Sequence, residues 1–151
     1  MARPINRFKG DYECLSNFFR APVKYEGMVY DNSEAAYQAA KTTNINIRRQ
    51  MLQMPPGVAK QFGQQLALRE DWEEIKQKVM YDIVLAKFRD NAHLGKMLLD
   101  TGDRELIEGN TWHDNYWGDC SCGDCARITG CNELGKILMA VRAWLRGDGL
   151  Q

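Results

Sequence analysis

The run DWEEIKQKVMYDIVLAKFRD, residues 71–90, reads as one long amphipathic helix. Ile75, Val79, Ile83 and Ala86 recur at steps of three and four and so form a single buried stripe. Asp71 stands three residues before Glu74, which is capping-box spacing and sets the helix start. Twenty residues of helix span about 30 Å, the width of a small domain. Other elements must therefore pack along it.

Working outward, PVKYEGMVYD (22–31) reads as two short strands around the turn signal Glu26-Gly27. DNSEAAYQAAKTT (31–43) follows as a helix, with Asp31 and Glu34 again at capping-box spacing. Residues 44–53 form a second helix, and Pro55-Pro56 ends it and opens a third reaching about Leu66. Beyond the long helix, residues 92–99 are helical and 104–108 are a candidate strand. Residues 109–132 are polar, aromatic and glycine-rich, too long for a mere connection. Residues 133–146 close the chain as a helix that buries Leu134, Ile137, Leu138, Val141 and Leu145. There is no repeat, low-complexity tract or linker. The expectation is a single α+β domain over 1–151, helix-rich with a few short strands.

Composition narrows the function classes. The 151 residues are 44% hydrophobic and 26% charged, enough for one sizeable core. Lys plus Arg and Asp plus Glu both number 20, so any attraction to nucleic acid or to an anionic membrane must come from local patches. No apolar run is long enough to span a bilayer, and MARPINRFKGDYE lacks the apolar stretch of a secretory signal. A cytoplasmic protein without membrane contact is expected. Its oligomeric state is not legible.

Three clusters carry potential chemistry. In the helix of 31–43, Glu34, Tyr37, Gln38 and Lys41 share one face, while Ala35, Ala36, Ala39 and Ala40 leave a nearly bare packing face. Glu34 and Lys41 are about 10 Å apart along the axis, so they could bracket one ligand. The plainer reading makes Glu34 a capping residue and Lys41 a solvated charge at the helix C-terminus.

The second cluster, GNTWHDNYWGDC (109–120), alternates Trp112, Tyr116 and Trp117 with His113, Asp114, Asn115 and Asp119. Aromatic faces can stack on a base, carboxylates can bind hydroxyls or move protons, and Gly118 permits close backbone approach. A loop pinned by its aromatics into the core is the alternative. The third cluster sets Cys120, Cys122, Cys125 and Cys131 within twelve residues. Without a secretion signal a disulfide framework is a poor explanation. Four thiols could hold zinc, but only one C-x-x-C is present, and a reduced surface loop explains the run equally simply. No metal and no cofactor is assigned.

Phosphate-binding loops, strand-linked GxGxxG and Gly-x-Ser-x-Gly elbows are absent, and His93 and His113 are the only histidines. Hydrolysis by carboxylate, lysine and aromatic groups is what the residues leave. The motifs LSNF (15–18), SEAAYQAAK (33–41), the 71–88 helix, YWG (116–118) and CNELGKILMAVR (131–142) together resemble the NADAR family. Each is weak alone; five in order over nearly the whole chain are specific. The resemblance implies N-glycosidic hydrolysis of a nucleotide-like substrate, a ribosylamino-pyrimidine intermediate of riboflavin synthesis or ADP-ribosylated guanine in nucleic acid. It also implies catalytic roles for Glu34, Lys41 and Asp114. Substrate contacts would come from Asn17, Phe18, Tyr37, Gln38, Trp72, Tyr116, Trp117, Gly118 and Asn132. Two features depart from the family pattern: the cysteine-bearing insertion after Gly118, and Cys131 itself. The rival classes are a non-catalytic ADP-ribose or nucleotide-binding module and a zinc-dependent interaction protein.

Overall fold

A computed structural model describes residues 2–147. They gather into two compact units, one of residues 17–94 and one formed by the described residues before and after that span. Each is α+β in character and helix-rich, with two-stranded sheets.

In the first unit β1 (Arg20–Tyr25) and β2 (Met28–Asn32) pair antiparallel, Tyr25 opposite Met28 and Val23 opposite Tyr30. Glu26 and Gly27, with φ of 47° and 82°, are both left-handed, as a two-residue turn between right-twisted strands requires. Register slips between Arg20 and Val23, where Pro22 has no N–H for the ladder. Val23 and Tyr30 point inward and are fully buried.

α1 (Ser33–Ala39) starts directly from β2. Asp31 is not its cap, because it stands two residues before the first helical residue, Ser33, and donates its N–H to the Leu52 carbonyl. The cap is Asn32, whose Oδ1 accepts from Ala35 N at 2.7 Å while its Nδ2 donates to the Met54 carbonyl. α2 (Ile45–Gln50) is capped by Asn44, and α3 (Pro56–Gln64) opens on the second proline of the pair.

The long helix is α4 (Trp72–Asp90). Its expected capping box is also absent: Asp71 turns its carboxylate to Arg69 at 2.6 Å, a stronger, charge-assisted partner than a backbone amide. Val79, Ile83 and Ala86 are buried as expected, joined by Trp72, Met80, Val84 and Phe88, whereas Ile75 is only half-buried. α1 packs against α3, α4 and both strands.

The boundary between the units falls within α5 (Ala92–Asp100). The candidate strand at 104–108 is reduced to one parallel bridge, Ile5 to Leu106. On its other edge the Asn132 side chain takes the Leu106 carbonyl and the Glu108 N–H, both at 2.9 Å, in place of a second strand. β3 (Gly109–Asn110) and β4 (Asp119–Cys120) pair parallel over two residues each. α6 (Glu133–Leu145) buries Leu134, Ile137, Leu138 and Val141, and leaves Leu145 half-buried. Buried Arg142 on α6 donates to Thr101 Oγ1 and the Arg104 carbonyl. Among the described residues no helix is long and apolar enough to cross a membrane.

Candidate active site

α1 is buried on every side, not on its alanine face alone. Ala35, Ala36, Ala39 and Ala40 have no exposed surface, yet Glu34, Tyr37 and Gln38 are buried too. Glu34 is therefore no surface capping residue. A carboxylate so enclosed needs hydrogen-bond partners, and Gln38 Nε2 donates to Glu34 Oε1 at 2.8 Å. α3 can approach because Gly63 faces Gln38: a Cβ there would lie 1.9 Å from Gln38 Oε1.

Polar atoms around Glu34 are left open. Asn17 Oδ1, Ser33 Oγ and Gln38 Oε1 are buried without a hydrogen-bond partner. Asn17 accepts the Glu34 N–H on its backbone carbonyl, and its Nδ2 meets only the Met80 sulfur at 3.5 Å. Three unsatisfied acceptors beside one carboxylate would be costly in a purely structural core. A hydroxyl-bearing molecule could donate to each of them.

Lys41 lies just past the C-cap Ala40, with its carbonyl accepting from Arg69 N. Its Nζ is 5.7 Å from the Tyr37 ring centroid, and Tyr37 in turn packs on Trp72 at 5.2 Å with the rings tilted 56°. Burial pushes the Lys41 ammonium below its ordinary pKa; the Glu34 charge opposes that shift and Lys60 adds to it. Phe18 is about half exposed. Of the residues expected at the site, Asn17, Glu34, Tyr37, Gln38, Lys41 and Trp72 are thus linked in the first unit.

The remaining nominees sit in the other unit. Asp114 Oδ1 accepts the N–H groups of Tyr116 and Trp117 at 3.1 and 2.9 Å, so this oxygen shapes the turn. Tyr116 and Trp117 meet edge to face at 4.8 Å, and both are half-buried. Gly118 is pressed on the Glu108 carbonyl, where a Cβ would come within 2.2 Å. Asn132, expected to touch substrate, has both ends of its amide engaged by the backbone of 106–108. The fold thus uses Asn132 as a brace.

Sequence reasoning gave no role to Asn110 and named Asn115 only as one polar member of the cluster, yet both hold this loop. Asn110 Oδ1 accepts from Trp112 N and Asp114 N while its Nδ2 donates to the Asp114 carbonyl. Asn115 Oδ1 accepts from Cys120 N. It also missed Ser33, although two adjacent polar residues at a helix start, only one of which can cap, were a legible sign. The four-thiol set needs correcting: Cys131 is exposed and apart, and His113 takes its place beside Cys120, Cys122 and Cys125. A hollow of about 280 Å³ lined by Tyr12, Leu15, Met97 and Arg104 among others includes none of the nominated residues.

The NADAR domain matches residues 6–146. N-glycosidase YbiA of Escherichia coli is 36% identical over 138 residues, 89% of this chain and 82% of the relative. N-glycosidase Npun_R5314 of Nostoc punctiforme is 35% identical over 141 residues, covering 89% and 86%. Riboflavin biosynthesis protein VVA0006 of Vibrio vulnificus is 34% identical over 153 residues, 97% of this chain but 40% of that protein. The NMR structure of E. coli YbiA superposes over the whole chain and 90% of its own, with a TM-score of 0.81 at 33% identity. The chain belongs to the NADAR family and is an N-glycosidase, a hydrolase acting on N-glycosyl compounds.

Proposed function

We propose that the Glu34–Lys41 set cleaves the bond between ribose C1′ and an amine nitrogen of a ribosylamino-pyrimidine phosphate from riboflavin synthesis. The observation that carries this is the buried carboxylate of Glu34, ringed by open acceptors, in electrostatic reach of a lysine whose amine is pushed toward neutrality. Unpartnered oxygens on Asn17, Ser33 and Gln38 suit sugar hydroxyls, which can donate to each of them. The names of the Vibrio relative and of a chloroplast riboflavin biosynthesis protein from Arabidopsis favour the pyrimidine substrate. ADP-ribosylated guanine, free or in nucleic acid, is the competing substrate. A cytoplasmic setting is part of the same reading, in keeping with five unbridged thiols. So is the action of residues 1–151 as one functional domain.

In the proposed reaction the neutral Lys41 amine adds to C1′ of the ring-opened imine form of the ribosylamine. The Nζ–C1′ bond forms, the C1′=N π bond breaks, and a first Nζ proton moves to the base nitrogen. The C1′–N bond to the base then breaks, and Glu34 passes the second proton released by Nζ to the leaving nitrogen. Water hydrolyses the lysine imine, returning the amine and free ribose phosphate. Asp114 and Trp117 are proposed substrate contacts, the first through its second carboxylate oxygen and the second by stacking.

A panel of a ribosylamino-pyrimidine phosphate, ADP-ribosylated guanine in DNA, NAD and free nucleosides tests the substrate. Preferential release of the ribosyl moiety from the first is expected. Borohydride added during turnover should trap a ribose-derived mass on wild type and none on Lys41→Arg, because arginine cannot form the imine. Lys41→Arg and Lys41→Ala should both be nearly inactive. Activity should fall as pH drops through the lowered Lys41 pKa, since the protonated amine cannot attack. Retained activity in Lys41→Arg with no adduct would move the reaction to a water activated by Glu34.

A further inference from the structure

We propose that this protein carries a structural zinc ion, held by His113 Nδ1 and the sulfurs of Cys120, Cys122 and Cys125. These four atoms lie within 4.8 Å of one another. Nδ1 is 3.3 Å from the Cys122 sulfur and 3.4 Å from that of Cys125. Zinc–sulfur bonds of about 2.3 Å and a zinc–nitrogen bond of about 2.0–2.1 Å give a tetrahedron with N···S edges of about 3.5 Å. Two N···S edges are thus already near tetrahedral length, and the rest of the set, spread over no more than 4.8 Å, needs to close by about 1 Å at most. One imidazole and three thiolates are a familiar donor set for zinc, and the soft sulfurs disfavour magnesium or calcium.

The surroundings fit the same assignment. The backbone N–H groups of His113 and Cys122 point at the Cys120 sulfur, at 3.3 and 3.5 Å. Asn115 Nδ2 donates to the Cys125 sulfur at 3.4 Å. Such donors spread the negative charge of metal-bound thiolates and orient them. Cys125 ends a 3-10 turn (Gly123–Cys125), with its N–H on the Cys122 carbonyl, so the C-x-x-C pair curls around one point. His113 has φ of 69°, an unfavourable conformation for a residue with a side chain, and here it brings the ring to the sulfurs.

Four protein ligands fill the coordination sphere and leave no position for a water, so the ion is a brace and not a hydrolytic centre. It ties His113 to Cys120 and closes the loop that bears Asp114, Tyr116, Trp117 and Gly118. The regular structure of that loop is limited to two-residue strands and one 3-10 turn, and the ion would add to the bonds made there by Asn110, Asp114 and Asn115. Binding would release the three thiol protons to solvent, which makes affinity fall at low pH. The inference is independent of the reaction proposed at Glu34 and Lys41.

The test uses the full chain, purified reduced and without a polyhistidine tag. Elemental mass spectrometry should find about one equivalent of zinc. Cobalt reconstitution of the wild type should give the visible spectrum of a tetrahedral ion with sulfur-to-metal charge transfer. Cys122→Ser and His113→Ala should each lose the metal on dialysis, while Cys131→Ser keeps it. Asn115→Ala should weaken zinc binding by about 10–100-fold. Metal-free wild type with no tetrahedral cobalt spectrum overturns the proposal, whatever the variants do. Loss of metal in Cys131→Ser equal to that in Cys122→Ser overturns the assignment of His113.

Discussion

In α1, Glu34 and Gln38 are held by helix periodicity and by four alanines that let neighbours close in on every side. Between residues 109 and 132, by contrast, almost nothing is periodic. There Asp114 and Trp117 are held by side chains bonding to backbone: Asn110 to residues 112 and 114, Asp114 to 116 and 117, Asn115 to Cys120. The two regions fix chemistry by different means, volume in one and directed hydrogen bonds in the other. A helix face can be read from spacing alone, whereas a polar loop can be read only when its bonds are known.

The largest expected effect belongs to the helix. Glu34→Gln keeps an acceptor for Gln38 and nearly the same volume but removes the charge. Activity should fall at least ~100-fold with little change in melting temperature. Turnover within a few-fold of wild type would show that the carboxylate serves packing only. In the loop, Trp117→Ala should weaken substrate binding by about 1–3 kcal/mol, roughly 5- to 150-fold in Kd, and Trp117→Phe should restore part of it. If the alanine variant unfolds and the phenylalanine variant binds normally, Trp117 belongs to the core.

Smaller effects separate volume from hydrogen bonding. Gly63→Ala puts a methyl against Gln38 and should destabilise by about 1–3 kcal/mol in denaturant titration. An unchanged midpoint would mean that α3 and α1 have room to spare. Asn32→Ala removes the α1 cap and should cost about 0.5–2 kcal/mol, while Asp31→Ala should cost under about 0.5. Equal losses in the two would restore Asp31 as a capping residue.

These outcomes bear on what the sequence made legible. The helices at 33–39, 56–64, 72–90 and 133–145 and the hairpin at Glu26-Gly27 follow from spacing, proline and turn chemistry, all local signals. Both acidic capping boxes failed for another reason: α1 starts one residue later than the spacing implied, so that Asn32 caps it, and the Asp71 carboxylate pairs with Arg69. At the site, Glu34, Tyr37, Gln38 and Lys41 are legible as a face. The burial of that face is not, because it depends on α3 and α4 packing around it. Asn132 was misread since its partners, at 106 and 108, lie a full loop away in sequence. His113 was passed over as a ligand because its nearest sulfur, Cys120, is seven positions on, outside any short knuckle pattern.

The bare alanine face of α1 has a consequence for how such a protein can change over generations. Ala35, Ala36, Ala39 and Ala40 have no surface left, so a longer side chain there must displace a neighbour in a close-packed interior. Drift at those positions moves Glu34 itself, and selection on activity must act against it. The stretch from 109 to 132 has no such ceiling: its sheet is two residues long, and chain can be added between its anchors without displacing a helix. Variation in this lineage is therefore open to insertion and rewiring of the loop, while α1 is carried along unchanged.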